Sequence, residues 1–354
     1  MPSISLNPII ILWKHISRKR KYQLFLLIVL MIVVSILEVF SIGAVMPFIA
    51  VLIDPDQLML NSNFIFLTQN LEFKDQSELI ILITIIFILL TLMSGFTRIL
   101  LLWCSTKIST KIGTELSRDV YKKMLFKSYL CHLQNNSSTS MSSIINRIND
   151  VVFWVINPVL TLFSTLFIVI GISLTLLYIN PIIASVTGIF FLSSYLLISA
   201  ISKFKLSFNS ETIKTQHPKT VKAIQEGLGG IREIIIGNLQ KIFYDTYSKA
   251  DALLREAYAS NIFISGSPRF FMESLGIILI SLIAFFHISH DQGSISIVPT
   301  LGALALGAQR LLPALHQGYS AISSIRGSYA SLKETVAIIS EPMDKSHSEI
   351  KAGA

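Results

Sequence analysis

The sequence has 354 residues, of which 52% are hydrophobic and 14% are charged, and its formal net charge at pH 7 is +8. Ordinary soluble domains carry roughly 25% charged residues, and the apolar residues of this chain fall in long blocks instead of short amphipathic periods. This composition excludes an ordinary soluble enzyme and indicates an integral membrane protein. Two cysteines, Cys104 and Cys131, are too few for a disulfide framework and are expected to be buried as small apolar residues.

The apolar blocks predict an all-α membrane protein with six transmembrane helices. A hydrocarbon core of about 30 Å requires roughly 20 apolar residues in a helix. The first block is too long for the core of a cleaved signal peptide, and no small-residue cleavage site follows it. The six predicted spans are about 23–53, 79–105, 155–178, 182–201, 270–289 and 295–315. The third and fourth spans are separated only by a predicted corner at Ile179, Asn180 and Pro181, where proline breaks the helix and its neighbours cap it.

Lys and Arg residues lie almost entirely on one side of these spans, which we call the basic side. They occupy the termini and two long connections, about 107–153 and 203–268, whereas the opposite side has Lys74 alone among several acidic residues. The positive-inside rule predicts that the basic side is cytoplasmic, with both termini there, in a cell (plasma or inner) membrane. This sorting accounts for the net charge, and we therefore predict no nucleic-acid partner.

Both long connections are predicted to be helical hairpins. In the first, Leu116, Val120 and Met124 recur at helical spacing, and the chain is expected to reverse near 134–139. A similar pattern continues in the second connection, so each hairpin would reach about 30 Å if an arm has some 20 residues. Residues 1–21 are predicted to hold a short helix in the membrane interface. A frayed, charged terminus is the alternative.

The order of these elements, six spans with two long helical excursions, resembles the transmembrane domain of ABC exporters. The segments 116–151, 224–247 and 261–273 are similar to the first hairpin, the second hairpin and the entry to the fifth span of exporters that move lipid-linked oligosaccharides, polysaccharides or peptides. The resemblance implies an ABC exporter transmembrane domain over 22–340. It also implies a tail, 341–354, where a nucleotide-binding domain would normally begin.

In this family the hairpin tips are short coupling helices that dock onto nucleotide-binding domains. Carried onto this sequence, the first lies around 129–135 and the second around 227–233. A plain solvated helix tip is the alternative for each. The residues concerned are Tyr129, Leu130, Cys131, His132, Leu133, Gly227, Gly230, Ile231, Arg232 and Glu233.

The sequence contains no phosphate-binding loop of the G-x-x-x-x-G-K-[ST] type. Gly302 and Gly307 have the spacing of its glycines, but Ala308 and Gln309 follow them. We therefore expect ATP and Mg on a partner nucleotide-binding domain, and no catalytic residue, metal or cofactor in this chain. A separately encoded ATPase, a fragment of a longer chain and a relic remain open as explanations.

Ionisable residues inside predicted spans are costly, so they are candidate functional residues. Glu38 in the first span, with Gln309 and Arg310 in the sixth, are the candidates for a translocation path, in which Arg310 would bind phosphate. The alternative is an ion pair between helices. Arg98, Arg269 and Glu273 are expected to extend from the ends of their spans to the interface.

Small residues in the sixth span predict close helix packing, and we expect this span to line the path and to contribute to a dimer. The predicted function is that of a half-transporter, a homodimer or heterodimer that exports by alternating access. An ion-coupled carrier or channel, for which we would expect paired carboxylates or inverted repeats, and a scaffold or relic without transport activity are the alternatives. The small residues are Gly302, Ala303, Ala305, Gly307 and Ala308.

Overall fold

The computed structural model of the protein describes residues 7–53, 76–126, 148–290 and 298–340. Of these residues, 96% are helical and none lies in a β-strand. The predicted all-α class is therefore confirmed.

The chain begins with helix α1 (Asn7–His15), which ends just before helix α2 (Arg18–Gly43), and helix α3 (Val45–Ile53) follows after an interruption at Ala44. Pro47 explains the interruption, because it has no amide hydrogen and its ring collides with the carbonyl group four residues earlier, that of Gly43. The first predicted span therefore consists of two helical segments, which we did not predict from the sequence.

Helix α4 (Gln76–Leu125) has 50 residues and is about 75 Å long. Helix α5 (Ile148–Val151) continues through a π-helical turn (Val152–Ile156) into helix α6 (Asn157–Ile179). Gly113 of α4 makes this crossing possible, since a Cβ atom there would overlap the side chain of Val152. The predicted reversal of this first hairpin lies outside the described residues.

Helix α7 (Pro181–Gly229) starts at the predicted corner, where the Asn180 side chain accepts a hydrogen bond from the Ile183 amide at 3.1 Å. It is followed by the short helix α8 (Ile231–Ile236) and by helix α9 (Gln240–His290). The predicted second hairpin is thus helical. Its first arm, from residue 202 to the end of α7, is about 42 Å long and exceeds the predicted length.

The chain then forms helix α10 (Val298–Gly327) and helix α11 (Tyr329–Ser340). Helix α11 joins the two hairpins on the basic side. The Ser331 hydroxyl lies 3.2 Å from the Asp150 carboxylate next to the first hairpin, and the Ala330 amide donates to the Ser210 hydroxyl of α7 at 3.0 Å. Lys123 of α4 also donates a hydrogen bond to the backbone carbonyl of Ile339.

Five helical stretches among the described residues are long and apolar enough to cross a bilayer. The sixth predicted span falls on α10, which is not one of the five, so the number six stays a prediction. Many apolar side chains along these helices are exposed, which supports a multi-pass membrane protein. The five stretches are Arg18–Leu52, Ile80–Leu125, Ile148–Ile179, Pro181–Gly229 and Gln240–Leu279.

Helix α10 packs most extensively against α6 and also contacts α9, α7 and α3. The predicted close packing of its small residues occurs at Gly307, where a Cβ atom would overlap the side chain of Leu176 on α6. Because Gly307 is buried within the protomer, its face of α10 is not available for the predicted dimer contact. The dimer itself stays a prediction.

Candidate functional site

An ion cluster joins three helices at the level of the predicted spans. Glu38 of α2 is only 1% exposed, and its Oε2 atom accepts a hydrogen bond from the Arg310 guanidinium of α10. Its Oε1 atom lies 3.2 Å from Nη1 of Arg98 on α4. A buried carboxylate without such partners would lose the stabilisation that water provides, so the arginines compensate for its burial.

The cluster holds two positive charges and one negative charge. Arg310 is 27% exposed and Arg98 is 40% exposed, so Arg98 is the more accessible cation. The contact between Glu38 and Arg98 is an ion pair without hydrogen-bond geometry, since Oε1 has no hydrogen-bond partner although it is buried. The cluster therefore has a surplus positive charge, and Arg98 is ion-paired with Glu38 but donates no hydrogen bond to it.

The structure brings two of the three predicted path residues together, and their role in a translocation path stays a prediction. Glu38 and Arg310 are in contact, which is the ion-pair alternative stated for them. Gln309 is exposed on α10. Arg98, which we expected to extend to the interface, instead meets Glu38, because α2 and α4 pack antiparallel along their length. Arg269 and Glu273 form a pair within α9, at 2.7 Å, with both side chains exposed as expected.

A cavity of about 260 Å³ opens beside Arg98. Apolar residues such as Met31 and Leu101 form much of its wall, and the polar groups come from three different helices. A guanidinium beside hydroxyl and amide groups is suited to binding an anionic or hydroxylated group. The polar residues are Ser105 of α4, Thr161 and Ser164 of α6 and Gln317 of α10.

Tyr319 fixes the position of α10, which carries Arg310, against α9. Pro268 interrupts the hydrogen bonds of α9, which leaves the carbonyl group of Ile264 without its helical donor. The Tyr319 hydroxyl donates to this carbonyl at 3.0 Å. A neighbouring helix thus compensates for the proline, as is usual for proline within membrane helices.

The tip of the second hairpin is a compact turn around α8. Asn238 has a φ of 56°, a left-handed conformation that asparagine tolerates better than most residues. The Leu239 amide donates to the Ile234 carbonyl at 2.9 Å, and the Asn238 amide donates to the Ile235 carbonyl at 3.3 Å. This pair of bonds is a Schellman motif, which ends α8 and directs the chain into α9.

The predicted coupling residues are divided between two elements. Gly227 lies in the last turn of α7, and Gly230 connects α7 to α8. Ile231, Arg232 and Glu233 form the exposed first half of α8. The predicted coupling segment 227–233 thus spans the end of α7 and the first half of α8, and its coupling role stays a prediction. Tyr129, Leu130, Cys131, His132 and Leu133 of the first tip lie outside the described residues.

Exposed apolar side chains cover this tip, and we call them the tip patch. Ile236 is 75% exposed, while Ile234 is buried and anchors the turn. The patch lies about 42 Å beyond the last residue of the fourth predicted span, outside the part of the chain that the sequence predicts to be in lipid. Apolar patches of this kind mark protein interaction sites. Its residues are Leu228, Ile231, Ile235 and Ile236.

A comparison with known families identifies the architecture. The model of the ABC transporter transmembrane region matches residues 22–306, which is most of the chain. The chain belongs to this family. The resemblance found in the hairpin sequences is therefore confirmed at the level of the ABC transporter transmembrane region. Membership also implies pairing with nucleotide-binding domains.

Proposed function

We propose that this ABC transporter transmembrane region is the membrane subunit of an ATP-driven exporter. It moves a lipid-linked saccharide, a glycolipid, a polysaccharide or a peptide by alternating access, as a homodimer or as a heterodimer with another half-transporter. A nucleotide-binding domain on the cytoplasmic side binds ATP and Mg, and the basic side of this chain is the cytoplasmic one.

The tip patch is the observation that carries this proposal. It combines an apolar surface outside the membrane with two helical arms that continue directly into predicted spans. When an attached nucleotide-binding domain moves, such arms transmit the displacement to the spans as rigid levers. A scaffold without transport could also use a docking surface, but it would not need the lever.

The ion cluster and its cavity support the substrate class. Saccharides carried on lipids contain phosphate and hydroxyl groups, for which Arg98, Gln317 and the cavity hydroxyls are suitable partners. Glu38 and Arg310 are assigned to the same path, where Glu38 holds the two arginines in position. The described residues of the cluster contain one carboxylate with two arginines, which does not favour an ion-coupled carrier with paired carboxylates.

Site-specific photo-crosslinking tests the docking role. A photoreactive residue is placed at Ile236, and a control is placed at Leu253, which is also exposed but lies about 20 Å along α9 from its start. Cross-linking in cells should join position 236, and not position 253, to a polypeptide with a G-x-x-x-x-G-K-[ST] loop. If neither position cross-links to such a polypeptide, the proposal is contradicted.

Transport in inverted membrane vesicles distinguishes the ATP-driven exporter from the ion-coupled carrier. Uptake of a lipid-linked oligosaccharide should require ATP, stop with vanadate and continue when a protonophore abolishes the proton gradient. The Arg98→Gln variant should lower this uptake, while Arg98→Lys should retain part of it. Uptake that depends on the ion gradient and is insensitive to vanadate would favour the carrier instead.

A further inference from the structure

The bend between α1 and α2 presents aromatic and basic side chains together. Trp13 is 48% exposed, and Ile10 and Tyr22 are exposed as well. Lys14, Arg18 and Lys19 are exposed around the same bend. We call these six residues the N-terminal surface.

The N-terminal surface is held rigidly against the rest of the molecule. Leu12 on the opposite face of α1 is buried in the main hydrophobic core. At the start of α2, Arg20 forms an ion pair with Glu115 of α4 at 2.8 Å and a hydrogen bond with Gln23 at 2.7 Å. The exposed side chains therefore extend from a fixed backbone.

The charge of this region is strongly positive. The stretch 14–21 has five basic residues and no acidic residue, and the stretch 107–123 of α4 has five basic and two acidic residues. One of those acids, Glu115, is already paired with Arg20. A groove of about 320 Å³ between the bend and α4 is lined by His15, Ser17 and Arg118 and also by the carboxylates of Glu115 and Asp119. Such an excess of positive charge attracts anions.

The apolar part of the N-terminal surface continues into a lipid-facing surface. Phe25, Leu26 and Val29 of α2 are exposed directly after the basic residues. The surface thus lies where a predicted span meets water, the level at which Trp and Tyr are enriched in membrane proteins. A lipid is the molecule that supplies acyl chains and a charged headgroup at the same place.

We infer that the N-terminal surface binds anionic phospholipids of the cytoplasmic leaflet. Ile10, Trp13 and Tyr22 lie among the acyl chains, while Lys14, Arg18 and Lys19 contact phosphate and headgroup oxygens. The groove beside α4 receives one headgroup, whose phosphate faces Arg118. The leaflet follows from the orientation given in the proposed function, but the binding itself needs neither ATP nor a nucleotide-binding partner.

Lipid titration of the purified full chain tests this inference. The variant K14Q/R18Q/K19Q, which loses three positive charges, is compared with K219Q/K241Q/K249Q. The second variant loses the same charge from exposed positions on the second hairpin. Phosphatidylglycerol and phosphatidylcholine are added to the protein in detergent, and bound lipid is measured by native mass spectrometry. Size-exclusion chromatography shows whether each variant is folded.

The wild type and the hairpin variant should retain phosphatidylglycerol in preference to phosphatidylcholine. The N-terminal variant should bind phosphatidylglycerol about tenfold more weakly or worse, since each basic residue near an anionic surface adds to the attraction. Equal phosphatidylglycerol affinity in the two variants would overturn the inference. Equal binding of the two lipids by the wild type would also overturn it.

A fluorescence measurement on an otherwise native N-terminal region provides a second test. In the variant W103F/W154F, Trp13 is the remaining tryptophan of the three. Two preparations of phosphatidylcholine vesicles with 30% phosphatidylglycerol are compared, with equal amounts of bromine on either phosphatidylglycerol or phosphatidylcholine. The vesicles with brominated phosphatidylglycerol should quench the Trp13 emission more. Equal quenching by the two preparations would contradict an enrichment of anionic lipid at α1. Because neither test measures transport or ATP, a failed exporter proposal would leave both results interpretable.

Discussion

Exposure of the same residue type has opposite meanings in the membrane-level bundle and in the second hairpin. In the bundle, exposed apolar side chains such as Phe25 face lipid, whereas the unusual residue is Glu38, a carboxylate that is almost completely buried. On the hairpin, exposed Lys and Arg residues are ordinary, whereas Ile236 is one of several apolar residues that are exposed beyond the predicted spans. A side chain therefore indicates function when it is out of place in its surroundings, and only the structure gives those surroundings.

The largest effect is expected when one partner of the buried ion cluster is removed. Arg310→Gln should lower the free energy of unfolding by about 3 kcal/mol, because the Glu38 carboxylate stays buried with Arg98 as its remaining partner. The double variant Glu38→Gln/Arg310→Gln should be more stable than this single variant. Reversible unfolding in mixed micelles measures all of these values.

The matched control for the cluster is the exposed pair on α9. Arg269→Gln should leave the unfolding midpoint unchanged, since both Arg269 and Glu273 are exposed and solvated. If Arg269→Gln and Arg310→Gln had equal effects, burial would not be what distinguishes the two pairs.

A smaller effect, and one on binding instead of stability, is expected at the tip patch. Ile235→Asp/Ile236→Asp should weaken binding of the nucleotide-binding partner by about thirtyfold, which corresponds to roughly 2 kcal/mol for a buried interface residue. The unfolding midpoint should not change, because neither side chain packs in the core. Leu253→Asp, on the same arm, should retain partner binding. If Leu253→Asp lost partner binding while the tip-patch variant kept it, the interface would not lie at the tip patch.

The contact between α9 and α10 should give an effect of about 1 kcal/mol. Tyr319→Phe removes the hydroxyl that donates to the Ile264 carbonyl and lowers the free energy of unfolding by roughly that amount. Tyr178→Phe is the control, because Tyr178 is almost fully exposed at the end of α6. Equal stability of the two variants would show that water or lipid satisfies the carbonyl as well as Tyr319 does.

The smallest expected signal is ATP binding by the isolated chain. The sequence has no phosphate-binding loop, so the purified protein should show no saturable binding of a fluorescent ATP analogue at micromolar concentrations. An authentic nucleotide-binding domain measured in the same detergent is the positive control. Saturable binding in this range would mean that the chain has a nucleotide site of another kind.

Local features of the sequence were predicted well. The corner at Asn180 was found because asparagine followed by proline both ends one helix and starts the next. The interruption at Ala44 could have been found in the same way, since Pro47 is visible in the sequence and acts on the carbonyl four residues earlier. The helical nature of the second hairpin followed from its amphipathic spacing, although its arms are longer than we predicted.

Features that depend on how distant helices align were predicted poorly. Helices α2 and α4 pack antiparallel, and a single register places Arg20 beside Glu115 and also places Glu38 beside Arg98. The hydropathy of each span gives its depth only to within several residues, so Arg98 was assigned to the interface. The predicted second coupling segment, 227–233, includes the break at Gly230 between α7 and α8, which its amphipathic spacing did not reveal.

By itself, the sequence determined that this protein is an all-α membrane protein, because apolar runs and helical spacing are local properties that fix each helix independently. The ABC transporter family came from the resemblance of its element order and hairpin sequences to that family, which the family comparison confirmed. The tertiary structure decided that Arg98 belongs with Glu38 and Arg310, that Gly307 is used within the protomer and that the tip patch is uncovered. These outcomes depend on which faces of separate helices meet, and the hydrophobic effect in lipid does not specify that choice; close packing and pairing of buried charges do.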